Sequence, residues 1–249
     1  MSQSALLQNK ISAEEYEAYK NGFPNVQIIY KNGNQETMFN SSYEFSPVTL
    51  GQGNDSGCFG PELGLAAYLS EAFPDETFYI IKYAVGGTNL FAHWNANDEN
   101  RNKHLVGFKN AIDEGLDILE SDGLTPKIVA WLWMQGESDA TQFYHAHEYY
   151  NREKALVEEI REEYAEYASA AGIAFIDAAT SDSGFFASWF LVNDMKLKYS
   201  KESFDNYYID TTAYGLTTLE ENNDLAHYDS LSMLLLGQLY GEVIAEIVK

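Results

Sequence analysis

The sequence predicts an α/β fold with a mostly parallel sheet. Short apolar runs rich in β-branched residues alternate with longer segments of helical period, which is the pattern of βαβ units. The 249 residues, 45% of them hydrophobic, are enough for one complete core. No internal repeat and no Pro/Gly-rich linker interrupts the chain, so we expect a single domain over residues 1–249.

Four predicted strands are short apolar runs that end at charged or turn-forming residues. They cover residues 26–30, 78–83, 127–134 and 173–177. In an open parallel sheet, the loops that follow the carboxyl ends of the strands form the ligand crevice. The residues that follow each strand therefore carry most of the functional information.

Four predicted helices lie between and after these strands, over residues 61–73, 105–119, 145–171 and 230–248. Pro61 suits a first helical turn, where its missing N–H costs nothing. The second helix has one apolar stripe at steps of three and four, which consists of Leu105, Phe108, Ile112, Leu116 and Leu119. Residues 181–223 show no clear period, and an irregular segment of this length is usually functional.

The charge balance excludes two classes of partner. The chain has 15 Lys and Arg against 38 Asp and Glu, a formal net charge of −23. Nucleic acids and anionic membranes select for clustered Lys and Arg, so neither partner is expected. No apolar run approaches the roughly 20 residues of a membrane span, and the N-terminus does not resemble a signal peptide. We expect a soluble chain, whose compartment the sequence leaves open, and Cys58 alone forms no internal disulfide.

Two glycines, Gly86 and Gly87, follow the second predicted strand. Adjacent glycines allow a tight turn that presents backbone N–H groups to a ligand, which is one way to build an oxyanion hole. The alternative is an ordinary turn at the end of a strand.

An amide and a carboxylate, Gln135 and Glu137, follow the third predicted strand. Gln135 could donate to a developing oxyanion while Glu137 fixes its neighbours. The alternative is a helix N-terminus capped by Ser138 or Asp139.

Asp224 stands three residues before His227, just ahead of the last predicted helix. A carboxylate at this spacing can accept a hydrogen bond from Nδ1 and leave Nε2 free as a general base, as a serine nucleophile requires. The alternative is a surface contact. The other histidines show no local ligand pattern, so we expect no metal site and no cofactor.

Four blocks in this order resemble the sialate O-acetylesterase and acetylxylan esterase branch of the SGNH hydrolases. They are GQGNDSGCFGPEL at 51–63, IKYAVGGT at 81–88, WMQGESDA at 133–140 and DLAH at 224–227. The resemblance implies a flavodoxin-like three-layer α/β/α sandwich and a serine esterase that removes acetyl groups from carbohydrate such as sialic acid or xylan-like glycans. The implied partner is thus an acetylated carbohydrate, and the oligomeric state is not predicted.

The resemblance also implies roles for individual residues. Asp224 orients the base His227, Gly87 and Gln135 donate to the oxyanion, and a second group supports the site, namely Gly86, Glu137 and Asn54. The rings of Tyr83 and Trp94 are candidates for stacking on a sugar.

The nucleophile departs from the family pattern, which places its serine in a Gly-Gln-Ser-Asn block directly after the first, central strand. This chain begins MSQSA, so that strand is missing or degenerate, and Ser4 is the candidate nucleophile, with Ala5 in place of the asparagine. Ser56 is a second candidate. Three hypotheses remain: the chain starts downstream of the first strand, Ser4 acts within a rearranged N-terminus, or the protein is a catalytically inactive module that binds glycans or has a structural role, for example in a viral appendage.

Overall fold

The computed structural model describes residues 2–219 and 224–249, and the side chains of residues 2–5 and 219 lie outside this description. The chain forms two compact units. Unit 1 contains the described residues of Met1–Gly86 and Gly215–Glu246, and unit 2 contains Gly87–Tyr214 and Ile247–Lys249. The expectation of a single domain stays a prediction.

The first elements in chain order are β1 (Ser2–Gln3), α1 (Ser4–Gln8), α2 (Ala13–Asn21), β2 (Phe23–Asn34), β3 (Met38–Ser41), β4 (Ser46–Val48), β5 (Cys58–Phe59), α3 (Glu62–Ala72) and β6 (Phe78–Gly86). They are followed by α4 (Lys103–Ser121), β7 (Ala130–Trp133), α5 (Phe143–Glu163), β8 (Ala174–Ala178), α6 (Trp189–Ser200), β9 (Asn206–Ile209), β10 (Thr218–Leu219), β11 (Asp224–Tyr228) and α7 (Ser230–Ile247). Short 3₁₀ helices cover Glu99–Arg101, Asp139–Thr141 and Ala165–Tyr167.

Unit 1 is built around β2, which pairs in parallel with β6 and antiparallel with β3 and β4. The parallel ladder runs from Val26 opposite Phe78 to Asn34 opposite Gly86. β2 is longer than the predicted strand because it continues into a hairpin with β3. The Asn34 side chain accepts the backbone N–H groups of Glu36 and Thr37, at 3.0 and 3.1 Å, and closes that hairpin.

Helices α3 and α7 of unit 1 approach each other through glycines. A Cβ on Gly64 would lie 2.0 Å from the carbonyl oxygen of Leu234, and one on Gly237 would lie 2.1 Å from that of Pro61. In both cases a side chain would clash with backbone atoms of the other helix, which could move away only if the two helices separated. Although α7 is long and apolar enough to cross a membrane, 56% of it is buried in the protein, as in the core helix of a globular protein.

Gly64→Ala is therefore expected to lower the free energy of unfolding by about 1–3 kcal/mol, because overpacking outweighs the better helix propensity of alanine. Chemical denaturation followed by circular dichroism measures the change. Gly241→Ala is the matched control, since the three atoms nearest to its new methyl group belong to the Tyr68 side chain rather than to a backbone, and the ring of Tyr68 can turn. Equal losses in the two variants would contradict this account of the helix contact.

Unit 2 contains a three-stranded parallel sheet in the order β7-β8-β9. All five residues of β8 are buried. The predicted stripe on α4 is confirmed, because all five of its residues are buried. Trp131 packs on Phe108 and Phe175, in each case with 5.2 Å between ring centroids, and its ring therefore belongs to the core.

The predicted α/β class with a parallel sheet is confirmed, and antiparallel pairs occur beside it, including β1 with β5 and β10 with β11. The three-layer arrangement stays a prediction. Two element predictions were wrong. The third helix, α5, ends at Glu163 rather than near residue 171, and residues 181–223 contain α6 and β9. The helical period of α6 was missed because two of its four buried positions are polar, Asn193 and Lys196.

Candidate active site

Asp224 and His227 form a hydrogen-bonded pair on β11. His227 Nδ1 lies 2.8 Å from Asp224 Oδ2. The other carboxylate oxygen, Oδ1, accepts the backbone N–H groups of Ala226 at 3.0 Å and His227 at 3.2 Å. The Asp224 carboxylate thus fixes both the imidazole of His227 and the backbone of residues 226 and 227. These contacts are possible because Asp224 and His227 are only three residues apart.

The electrostatics of the pair suit a base held in one tautomer. Burial alone would raise the pKa of Asp224, but hydrogen bonds from the His227 ring and the Ala226 N–H outweigh it and hold this pKa below its usual value. An ionised Asp224 favours the Nδ1–H tautomer and leaves Nε2 as the acceptor. The His227 side chain is 56% exposed, so a reactant from solvent can reach it. The predicted dyad geometry is present, and its catalytic role stays a prediction.

The candidate nucleophile Ser4 begins α1 directly after β1. Its side chain lies outside the described residues, so its role stays a prediction. The second candidate, Ser56, is exposed in the loop between β4 and β5.

The loop around Asn54 is held by amide contacts. The Asn32 side chain donates to the carbonyl oxygens of Gln52 at 3.2 Å and Gly53 at 2.8 Å, and Asn40 donates to Gly53 at 2.7 Å. Asn54 itself is half-buried, and its supporting role stays a prediction.

A buried ion pair beneath this loop was missed by the sequence analysis. Lys82 Nζ lies 2.9 Å from Glu62 Oε1 and donates to the Gln52 carbonyl oxygen at 2.9 Å. Glu62 also accepts the N–H of Gly60 at 2.8 Å. The sequence signal was a lysine in the otherwise apolar β6, where a charge needs a partner.

Gly86 and Gly87 form the turn that ends β6. Gly87 has φ = 75°, in the left-handed region that favours glycine, so a side chain here would strain the turn. Donation by Gly87 to an oxyanion and support by Gly86 stay predictions.

Gln135 lies at the centre of a buried hydrogen-bond network in unit 2. Its Nε2 donates to the Thr88 carbonyl oxygen at 3.1 Å and to Asp139 Oδ2 at 2.7 Å. Its Oε1 accepts the hydroxyl of Tyr149 at 2.9 Å. The side-chain amide of Gln135 has two N–H donors, and these two contacts use both of them. To donate to a substrate oxyanion, Gln135 would have to give up its hydrogen bond to Thr88 or to Asp139. The predicted oxyanion role of Gln135 stays a prediction.

Asp139 makes the bracing contacts that the sequence analysis expected from Glu137. Asp139 is fully buried and accepts the N–H of Leu90 at 3.1 Å as well as the Gln135 amide. Burial raises the pKa of Asp139 to about 6, although Gln135, Leu90 and the charge of Arg152 oppose the shift. Within the described chain, Glu137 makes no side-chain hydrogen bond, and its supporting role stays a prediction.

Tyr149, on α5, is a positioning residue that the sequence analysis missed. It is fully buried, and its hydroxyl donates to Gln135 while accepting the Trp133 indole N–H at 3.4 Å. The only sequence signal was a tyrosine on the inner face of an amphipathic helix, and such a residue usually serves packing alone.

Trp94 does not have the exposure expected of a sugar-stacking residue. Its side chain is 3% exposed, its indole N–H donates to Thr88 Oγ1 at 3.0 Å, and its ring packs on Trp133. Trp94 therefore supports the turn after Gly87 from the core. Tyr83 is half-buried on β6, and burial raises its pKa to about 12. Its contact with a sugar stays a prediction.

Among the residues that the structure describes, no three His, Cys, Asp or Glu side chains are grouped so that they could hold a metal ion.

Comparison with known proteins places the chain in a family. The family model for carbohydrate esterases of the sialic acid-specific acetylesterase type matches residues 25–246. No curated protein sequence is significantly similar to the chain. Among solved structures, NanS has a TM-score of 0.66 at 14% identity, over 92% of this chain and 90% of NanS. A protein from Arabidopsis thaliana has a TM-score of 0.64 at 15% identity, over 90% of this chain and 98% of that one. The structural likeness shows a shared fold, and the family match over most of the chain shows that it belongs to the sialic acid-specific acetylesterase family of carbohydrate esterases.

Proposed function

We propose that the protein is a serine esterase that removes O-acetyl groups from carbohydrate through an acyl-enzyme. The observation that carries this proposal is the 2.8 Å bond between Asp224 and His227, which leaves a half-exposed imidazole with Nε2 as acceptor. The family match supports the same chemistry.

In the proposed mechanism, Ser4 Oγ attacks the acetyl carbonyl carbon while His227 Nε2 takes the hydroxyl proton. The tetrahedral intermediate collapses, and the sugar oxygen leaves with the proton from His227. His227 then deprotonates a water molecule, which attacks the acetyl-serine. The bond between the acetyl carbon and Ser4 Oγ breaks, acetate leaves, and His227 returns the proton to Ser4 Oγ. Asp224 stabilises the imidazolium in both halves of the reaction.

The proposed oxyanion donors are the Gly87 N–H and the Gln135 amide, the latter after exchange of its bond to Thr88. Asp139 and Tyr149 act as positioning residues, because they fix the Gln135 side chain from two sides. The proposed substrate is an O-acetylated sugar of the sialic acid or xylan-like class.

We also propose the flavodoxin-like three-layer α/β/α fold for the chain as one domain, with β1 as a degenerate first strand. The likeness to two solved structures over at least 90% of the chain supports this fold. The position of Ser4 directly after β1 agrees with a nucleophile at a turn from strand to helix.

A fluorophosphonate probe tests the nucleophile directly. We expect one covalent adduct, assigned by mass spectrometry to the peptide that contains Ser4, and its loss in Ser4→Ala and in His227→Ala. Ser56→Ala is the matched control and should label like the wild type. Labelling that persists in Ser4→Ala would contradict the assignment of Ser4. No labelling together with no acetate release from acetylated sugars would overturn the esterase proposal.

A further inference from the structure

Two buried acidic side chains in unit 2 share a single cation. Glu153 on α5, Asp177 on β8 and Lys196 on α6 are all buried, and we call these three residues the Lys196 cluster. Lys196 Nζ lies 2.7 Å from Asp177 Oδ1 and donates to the Ala178 carbonyl oxygen at 2.7 Å. Within the described part of unit 2, the ion pair of Lys196 is with Asp177 and not with Glu153. The cluster therefore has one positive charge for two carboxyl groups.

Three oxygen atoms of the Lys196 cluster lack a hydrogen-bond donor. They are Oε1 and Oε2 of Glu153 and Oδ2 of Asp177, all buried and without a partner among the described residues. An ionised carboxylate only accepts hydrogen bonds, so two ionised groups side by side leave these oxygens unsatisfied. An unpaired charge in the interior is very costly, and a buried acid takes up a proton instead. A proton on one of the two carboxyl groups supplies the missing donor.

The surroundings favour Glu153 over Asp177 as the group that holds the proton. Burial raises the pKa of Glu153 well above its usual value, the charge of Asp177 raises it further, and the charge of Lys196 opposes the rise. Burial raises the pKa of Asp177 only to about 6, because the charge and the hydrogen bond of Lys196 limit the rise. Near neutral pH, Asp177 is thus the ionised partner of Lys196, and Glu153 is the acid beside it.

Charged and titratable groups of the neighbouring elements face Glu153. They are Asp177 of β8, Lys196 and Tyr199 of α6, and Tyr149 of α5 itself. Glu137, in the turn after β7, acts on the charge of Asp177. Of these groups only Lys196 is positively charged. An ionised Glu153 would therefore add an uncompensated negative charge to the Lys196 cluster.

The charge of Glu153 also determines where the hydroxyl proton of Tyr149 points. Tyr149 lies one helical turn before Glu153, and its hydroxyl contact opposes the larger effect of burial on the pKa of Glu153. A hydroxyl has one proton, which Tyr149 donates to Gln135 Oε1 at 2.9 Å. An ionised Glu153 would be a stronger acceptor than this amide oxygen and would draw the proton away. A neutral Glu153 leaves the proton on Gln135.

We propose that Glu153 is a neutral carboxylic acid in the folded protein, that it donates its proton to Asp177 Oδ2, and that it is thereby a positioning residue for Gln135. Lys196 then neutralises Asp177 alone. Tyr149 keeps its proton on Oε1 of Gln135, so that Nε2 faces Thr88 and Asp139. The inference goes beyond the proposed function, since it concerns a buried proton that acetate release neither requires nor reveals.

The pH dependence of unfolding tests the proton on Glu153. A neutral Glu153 ionises when the chain unfolds, so unfolding of the wild type releases one proton more than unfolding of Glu153→Gln. The unfolding equilibrium constant of the wild type, divided by that of Glu153→Gln, should therefore rise about tenfold from about pH 6 to about pH 7. Urea denaturation measures both constants. A ratio that is the same at both pH values would overturn the proposal, because Glu153 would then have the same charge before and after unfolding.

Glu158→Gln is the matched control, because Glu158 is on the same helix and its side chain is 64% exposed. Water solvates this carboxylate in the folded and the unfolded chain alike, so the ratio of its unfolding constant to that of the wild type should not vary with pH. A ratio for Glu158→Gln that rises as steeply as the ratio for Glu153→Gln would overturn the assignment of the proton to Glu153.

Glu153→Met tests the donor role. Methionine has a similar length but no donor for Asp177 Oδ2, whereas the glutamine amide retains one. A buried acceptor without its donor should raise the unfolding constant of Glu153→Met about 5-fold to 100-fold above that of Glu153→Gln at about pH 7. Equal constants for the two variants would overturn donation to Asp177.

Infrared spectroscopy detects the proton in the folded wild type itself. The C=O stretching band of a protonated carboxylic acid is separate from the bands of carboxylates and amides. We expect this band in the wild type and in Glu158→Gln at about pH 7.5, and its loss in Glu153→Gln. A wild-type spectrum without the band would overturn the proposal.

The side-chain amide of Gln135 reports on the positioning role. Its NMR signals are identified by their loss in Gln135→Met. Tyr149→Phe removes the donor to Oε1 and should shift these signals, whereas Glu153→Gln keeps a neutral group at position 153 and should shift them much less. Equal shifts in the two variants would overturn the positioning role. None of these readouts requires catalysis, so their failure is distinct from a failure of the proposed function.

Discussion

Asp224→Asn is expected to lower kcat for acetate release by a factor of about 10²–10⁴ while the protein remains folded. In the wild type, the carboxylate accepts from Nδ1 of His227 at 2.8 Å. An asparagine amide can present an N–H to the same nitrogen, which favours the opposite tautomer and places a proton on Nε2. The base would then be unable to accept the proton of a serine hydroxyl. Steady-state kinetics with an O-acetylated sugar measures the loss.

Asp229→Asn is the control for this prediction. Asp229 lies five residues further along and accepts the N–H of Ser232 at 2.8 Å, so that it caps α7. Because asparagine caps a helix about as well as aspartate, this replacement mainly removes the charge that pairs with Lys10. It should reduce stability by about 1 kcal/mol or less and leave kcat near the wild-type value. If Asp224→Asn retained full kcat, the dyad would be a surface contact, and another group would have to act as the base.

Lys196→Met is expected to lower the free energy of unfolding by about 3–5 kcal/mol near pH 8. Lys196 is fully buried, with Nζ 2.7 Å from Asp177 Oδ1 and 2.7 Å from the Ala178 carbonyl oxygen. Glu153, also fully buried, has no hydrogen bond at either carboxylate oxygen within the described chain. Removal of the ammonium group leaves two buried carboxyl groups without a cation.

The loss should depend on pH. Burial raises the pKa of both Glu153 and Asp177, and the charge of Lys196 partly offsets this rise. A carboxyl group whose pKa is raised in the folded state binds protons more tightly there than in the unfolded chain, so folding is favoured as the pH falls through the raised pKa. The deficit of Lys196→Met should therefore shrink between pH 8 and pH 5. Urea denaturation at both pH values measures it.

Lys198→Met is the matched control, because Lys198 lies on the same helix but is exposed over the ring of Tyr150. It should cost about 0.5–1 kcal/mol at either pH. A similar cost for the two lysines, or a deficit that is the same at pH 5 and pH 8, would show that Lys196 does not neutralise the buried carboxyl groups.

The local sequence was sufficient to predict the α/β class and those helices and strands whose buried positions are apolar. The helical period of the apolar residues predicts α4, and the apolar composition of a short run predicts β8. Neither prediction requires knowledge of the segment against which the element packs. The Asp224–His227 pair was predictable for the same reason, since three residues on one turn fix which atoms can meet.

Tertiary structure alone decided the contacts that join distant segments. Asp139 accepts from Leu90, Tyr149 donates to the Gln135 side chain, and Lys196 pairs with Asp177. The residues in these three contacts are 14 to 49 positions apart in the sequence. Burial selects among neighbouring polar residues only after the chain has packed, because a buried polar group must find its partner wherever the fold supplies one. The spacing of two residues in the sequence does not tell whether they meet in space when they are far apart along the chain. The partners of these residues could therefore be assigned only from the folded structure.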